Sequence, residues 1–278
     1  MRTLIHLSDL HFGRVDEALL DPLIAAANEI KPDLVVVSGD LTQRARSDQF
    51  KAARRFIDRL PGEKLIVPGN HDVPLWNVFA RVMTPLSKFR KYVTDDLSPM
   101  FVDDEIAVVG INTARSMVVK SGRINHAQIN EVHDKLCALH DHMTKIIVTH
   151  HPFDLPEDRD DVHLVGRAKL AMKTFAACGA DVLLAGHFHT SHAGSTLERY
   201  RIVGHAALVI QAGTATSTRG RGETNSFNVL RIHHPGIELQ RYDWDVLTRR
   251  FQPAAIDFFE SAGGEWVRKS TAASEARR

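Results

Sequence analysis

LLAGHFHTSH, residues 183–192, places His187, His189 and His192 within six positions, directly behind an apolar run. A continuous apolar run of this length suits a strand buried on both faces. The same arrangement occurs four more times. TLIHLSD (3–9) ends at Asp9, LVVVSGD (34–40) at Asp40, LIVPGNH (65–71) at Asn70 and His71, and IIVTHH (146–151) at His150 and His151. Each run stops at a side chain able to bind a metal ion.

Segments of helical periodicity lie between the runs. Leu19, Leu20, Leu23, Ile24 and Ile30 mark one face, bounded by Pro32. Ala52, Ala53, Phe56, Ile57 and Leu60 mark a second, and Ile129, Val132, Leu136 and Leu139 a third. Alternating strand and helix predicts βαβ units and a largely parallel sheet. Past residue 193 the pattern changes to the strand-like runs ALVIQAG, SFNVLRIHH and IELQRYDW, with a hairpin turn at HPG (234–236). The expected fold class is therefore α/β, with a second sheet packed beside the first.

The expected layout is one domain over residues 1–243. A segment 244–267 follows, whose Phe251, Ile256, Phe258 and Phe259 pack on the core or on a partner, then a disordered tail at 268–278. Within the domain, residues 74–100 carry Phe79, Met83, Leu86 and Val93 at helical spacing. They read as a surface helix or as a cap over a cleft.

At 278 residues the chain can bury a sizeable core. A formal net charge of +1 argues against stable nucleic-acid binding or a protein that coats anionic membranes. No stretch approaches a membrane span, and the apolar start is broken by His6 and Asp9, so it reads as a strand. Cys137 and Cys178 show no metal-site spacing and are expected as reduced thiols in a cytoplasmic protein.

In open α/β sheets, ligands bind beyond the carboxyl ends of the strands, so such a fold gathers the five run ends at one place. In order, DLH (9–11), GD (39–40), GNHD (69–72), THHP (149–152) and GHFH (186–189) resemble the blocks of the calcineurin-like metallophosphoesterase superfamily, over roughly residues 1–240. The resemblance implies an αββα sandwich of two packed sheets flanked by helices. It also implies two divalent metal ions, Mn or Fe ahead of Zn or Co. Asp9, His11 and His189 would bind one ion, Asn70, His150 and His187 the other, and Asp40 would bridge them. His71 would approach the leaving-group oxygen as acid or hydrogen-bond donor, with Asp72 orienting it and His151 lying beside the ligands.

The residue types suit that chemistry. Mixed carboxylate, imidazole and amide donors favour borderline divalent ions. Two ions roughly 3.5–4 Å apart clamp the attacking and leaving oxygens, and a bridging hydroxide can attack phosphorus. Gly39, Gly69 and Gly186 let the chain turn sharply before each ligand.

The remaining histidines read plainly: His6 as a packed core residue, His133 and His140 as solvated surface, and His192 as lying beyond the last block. Asn112 and Arg115 in NTARS (112–116), and Arg219 and Arg221 in TSTRGRGETNSF (216–227), are candidates to hold a substrate phosphate. The function expected from the resemblance is a metal-dependent phosphodiesterase acting on a small phosphodiester, a cyclic nucleotide among the candidates. It is most similar to the bacterial cyclic-nucleotide and glycerophosphodiester branch, whose members are often homodimers. Alternatives are a UDP-diacylglucosamine-type pyrophosphatase, with Phe79, Met83 and Leu86 lining an acyl chamber, and a nuclease. A protein-binding scaffold is the non-enzymatic alternative, disfavoured by the intact ligand positions.

Overall fold

The computed structural model describes residues 1–117, 121–155, 164–200, 202–219 and 222–269. The chain begins β1 (Arg2–Leu7), α1 (Leu20–Ile30), β2 (Leu34–Ser38), α2 (Ser47–Asp58) and β3 (Glu63–Val67). Lys31 closes α1 in the left-handed region at φ 53°, and Pro32 behind it cannot continue the helix. Two short helices follow, α3 (Val78–Met83) and α4 (Ser87–Tyr92). A second alternating series comprises β4 (Met100–Val102), β5 (Ile106–Gly110), α5 (His126–Leu136), β6 (Thr144–Val148), α6 (Ala168–Ala177) and β7 (Val182–Ala185). The remaining strands are β8 (His192–Ser195), β9 (Leu208–Gln211), β10 (Ser226–His233), β11 (Gly236–Asp245), β12 (Arg250–Ala262) and β13 (Glu265–Lys269).

These strands form two mixed sheets, ordered β13-β12-β11-β10-β1-β2-β3 and β4-β5-β6-β7-β9-β8. The late strands do not make a second sheet of their own. Instead β9 lies parallel to β7, whereas β10 lies antiparallel to β1 and β11–β13 extend from it. Each sheet thus joins strands of one alternating series to later additions, which corrects the expected division into a parallel sheet and a separate late one. The expected hairpin is present, with His233 paired to Gly236.

Period-two alternation explains why the strands are apolar throughout. Leu4, Val36, Val108, Ile146 and Leu184 point into the core between the sheets. Ile5, Val35 and Val37 face α1, α2 and α4, while Val109, Ile147 and Leu183 face α5 and α6. A strand with a sheet on one side and helices on the other has no solvent face. The layers run helix, sheet, sheet, helix.

Residues 74–100 divide. Leu86, Phe89 and Val93 are buried against α2 and its neighbours, while Phe79 and Met83 are 76% and 64% exposed. On β12, Phe251 and Phe259 turn into the core and Ile256 faces out. No helix among the described residues is long and apolar enough to cross a membrane.

Cys137 and Cys178 correct the expectation of reduced thiols. They cap α5 and α6, whose ends lie side by side, and they form a disulfide across 41 residues of sequence. Sequence spacing gives no warning of a contact made by packing two helices.

His6 is fully buried on β1, its Nε2 2.8 Å from Ser38 Oγ. Burial holds its imidazole down to about 3, well below the roughly 6.5 of an unfolded histidine. Its stabilising contribution is therefore complete above pH 6.5 and is lost as pH falls towards 3. Between pH 7 and pH 5 this side chain alone should remove about 2 kcal/mol of stability. Urea unfolding at the two pH values, compared with His6→Gln, should show a smaller pH effect in the variant.

Candidate metal centre

Every candidate ligand follows the carboxyl end of a strand. Asp9 and His11 come after β1, Asp40 after β2 and Asn70 after β3, all in one sheet. His150 follows β6, and His187 and His189 follow β7, in the other. Five of these residues adopt left-handed backbone: Asp9 (φ 53°), His11 (51°), Asp40 (52°), His187 (75°) and His189 (60°). Side chains resist that region, and such conformations persist only where the surroundings enforce them. Here neighbouring loops do so: the His11 amide donates to the Asp40 carbonyl at 2.9 Å, and the Gly186 amide to the His150 carbonyl at 3.1 Å. Gly69 is required by crowding, because a Cβ there would collide with Asp40.

The donors converge in two groups. Asp9 Oδ1 lies 3.5 Å from His11 Nε2 and 3.4 Å from His189 Nε2. The two imidazole nitrogens are 3.4 Å apart in nearly parallel rings. In the second group, His150 gives Nδ1–H to the Ser38 carbonyl at 2.8 Å. Its Nε2 then faces Asn70 Oδ1 at 3.1 Å and His187 Nδ1 at 3.3 Å. Asp40 Oδ2 stands between the groups, 3.7 Å from His11 Nε2 and 3.4 Å from His150 Nε2.

This arrangement fits cations. Asp9 Oδ1 is buried with no hydrogen-bond partner among the described residues. Such groups are costly to bury unless a positive charge joins them. Burial pushes the Asp9 and Asp40 carboxyls up, but the surrounding histidines pull harder and hold both well below the usual carboxylate range. Burial would lower His150, yet Asp40 and Asp9 carry it up to about 9: the cluster attracts positive charge. Burial, then the neighbouring His150, presses His187 down to about 3, keeping its imidazole neutral as a metal ligand must be.

His71 lies beside the cluster. Its amide donates to Asp40 Oδ1 at 2.8 Å, and its Nδ1–H to the Gln43 carbonyl at 3.0 Å. Arg219 Nη1 donates to Nε2 at 3.0 Å. Burial lowers the imidazole, so it rests neutral with Nε2 as acceptor. Asp72 does not orient this ring. Its carboxylate accepts from the Gly69, Leu41 and Thr42 amides at 2.9, 3.1 and 2.9 Å, and so braces the loops around Asp40. Gln43, three residues beyond Asp40, holds the ring instead, and no motif in the sequence singles it out.

The substrate candidates separate. Arg219 reaches the centre. Arg115 does not: its guanidinium donates to the Asn112 and Ala114 carbonyls and to the Gln128 side chain. Asn112 is buried, with Oδ1 accepting from the Ala114 amide. Arg221 lies outside the described residues. His151 is buried next to His187, its Nδ1 2.8 Å from Thr113 Oγ1, and His192 lines a different pocket with Gln211 and Asn228. A pocket of about 190 Å³ opens over the site, lined by Gln43, Arg44, Asn70, His71, Leu75 and Arg81 among others.

Two facing mixed sheets thus gather carboxylates, histidines and an asparagine at the carboxyl ends of their strands, a donor set that could hold divalent cations. The chain belongs to the calcineurin-like phosphoesterase family, whose model matches residues 2–191. It is 28% identical to the glycerophosphodiester phosphodiesterase GpdQ of Enterobacter lignolyticus over 124 residues, 37% of this chain and 44% of that protein. It therefore spans less than half of that relative's length. It is 24% identical to the probable glycerophosphodiester phosphodiesterase GpdQ of Arcobacter nitrofigilis over 203 residues, covering 66% of this chain and 71% of the relative. Among solved structures, the fold matches a dimetal phosphatase from Danio rerio with a TM-score of 0.66 at 14% identity, covering 91% of this chain and 98% of that one.

Proposed function

We propose that the chain is a phosphodiesterase that cleaves small phosphodiesters with two divalent cations. The observation that carries this reading is Asp40, one carboxylate standing between two converging donor sets with His71 alongside. Asp9, His11 and His189 would hold one cation, Asn70, His150 and His187 the other, with Asp40 shared. The donors suit Mn or Fe, then Zn or Co. When bound, the cations lower the pKa of water and offset charge building on the phosphoryl oxygens.

The chain's own residues handle position and protons. Arg219 turns from His71 Nε2 to a phosphate oxygen, which a guanidinium matches well. The freed Nε2 takes up a proton from solvent and donates it to the departing oxygen as the bond from phosphorus breaks, while the attacking water, acidified when cations are bound, loses its own proton to solvent. Gln43 keeps the ring aimed throughout. Arg219→Ala should raise KM on the order of tenfold or more, the worth of a charged hydrogen bond, with a smaller effect on kcat. Steady-state kinetics on a chromogenic diester checks this.

The direct test strips the metals and refills the protein with Mn²⁺. A chromogenic phosphodiester, its monoester and cyclic 3′,5′-AMP are then compared. Metal-dependent cleavage favouring the diesters supports the proposal, and preference for the monoester overturns it. A second reading is favoured by the segment that follows Leu75 of the pocket wall, where Trp76, Val78, Phe79 and Met83 are exposed. An acyl-bearing pyrophosphate would cover them, and turnover of such a substrate with none of the soluble diesters selects that reading.

A further inference from the structure

The last turns of α5 and α6 bring together three donors for which phosphodiester chemistry has no use. His133 and Cys137 are four residues apart, which stacks their side chains on one helical face. Cys178 caps the neighbouring helix. One ligand atom from each of His133, Cys137 and Cys178 lies within 4.8 Å of the others. His133 Nδ1 lies 3.2 Å from Asp134 Oδ1, so a carboxylate stands beside the imidazole.

The pair of cysteines does not depend on its covalent bond for proximity. The Lys145 ammonium is 3% exposed, and it donates to the Leu139 carbonyl at 3.1 Å and to the Cys178 carbonyl at 3.0 Å. The chain beyond Cys137 and the backbone of Cys178 are thus tied to the same buried cation.

We infer that, in the reduced protein, His133, Cys137 and Cys178 bind one borderline divalent cation such as Zn²⁺, and that forming the disulfide closes this site. Two electrons and two protons from a dithiol convert the disulfide into two thiols, the dithiol leaving as its own disulfide. The cation then displaces both protons. Two thiolates cancel its charge, so it sits beside Lys145 without repulsion, and water completes a tetrahedral set. This site is independent of the phosphodiesterase reading, because the centre at the strand ends contains no sulfur.

Co²⁺ provides the test, since only thiolate ligands give sulfur-to-cobalt charge-transfer absorption in the near ultraviolet. The protein is reduced with a phosphine, which ends as its oxide with oxygen from water, and is then titrated anaerobically. The band should develop in the reduced protein and be absent from the oxidised one. Cys137→Ser, at an exposed position, should lose it, and His133→Ala should weaken cobalt binding about tenfold or more. No band in the reduced protein, or cobalt affinity unchanged in His133→Ala, overturns the proposal.

Discussion

Asp40→Ala should abolish turnover and leave one bound metal ion per chain or none. The carboxylate contacts both donor groups, at 3.7 Å from His11 and 3.4 Å from His150, and its other oxygen holds the His71 amide at 2.8 Å. Its loss would remove the charge between the two proposed cations and loosen His71 in the same step. Removing a single preorganised electrostatic group already costs on the order of a hundred- to a thousandfold in kcat, and here metal binding fails too. Asp40→Asn separates the contributions: the amide oxygen still accepts from His71 while the amide nitrogen replaces Oδ2, so metal loss in this variant traces to that oxygen and its charge and not to the His71 contact. Elemental analysis alongside kinetics decides the matter. Full activity with two ions bound would sink the assignment.

His71→Ala should behave differently. The contact with Asp40 runs through the backbone amide, which the substitution keeps, so both metals should remain. The imidazole, held between Gln43 and Arg219, is lost. Proton transfer contributes typically a hundred- to ten-thousandfold, and that loss should fall on substrates with poor leaving groups. Nitrophenolate departs without a proton and should be far less affected. A series of diesters graded by leaving-group pKa would show a steeper dependence in the variant. An unchanged slope would mean that His71 positions the substrate and moves no proton.

Much of this site is legible in the sequence because each ligand is local to a strand end. Runs such as LVVVSGD carry both the burial of the strand and the residue it delivers, and five of them in order are hard to produce otherwise. Choice of sheet is not local. Nothing in SFNVLRIHH says that it will pair with β1, because the open edge beside β1 is a property of the assembled fold. Arg115 and Arg219 are chemically identical, and only their neighbours decide that one is absorbed by carbonyls while the other reaches His71. Asp72 follows His71 directly in the chain, yet the turn at Asn70–Asp72 aims its carboxylate at the Asp40 loop. Adjacency in sequence was a poor guide there, and a separation of 41 residues hid the Cys137–Cys178 contact.

The two sheets meet across an apolar core, and apolar contact is non-directional: it tolerates small sliding of one layer over the other. The ligand sets do not. Asp9 and His11 come from one sheet and His189 from the other, while Asn70 comes from the first and His150 and His187 from the second. Each half of the centre is thus a joint spanning the seam. The alignment of the layers is fixed at the rim where these donors meet, so a shift of one sheet against the other would pull both donor groups apart at once.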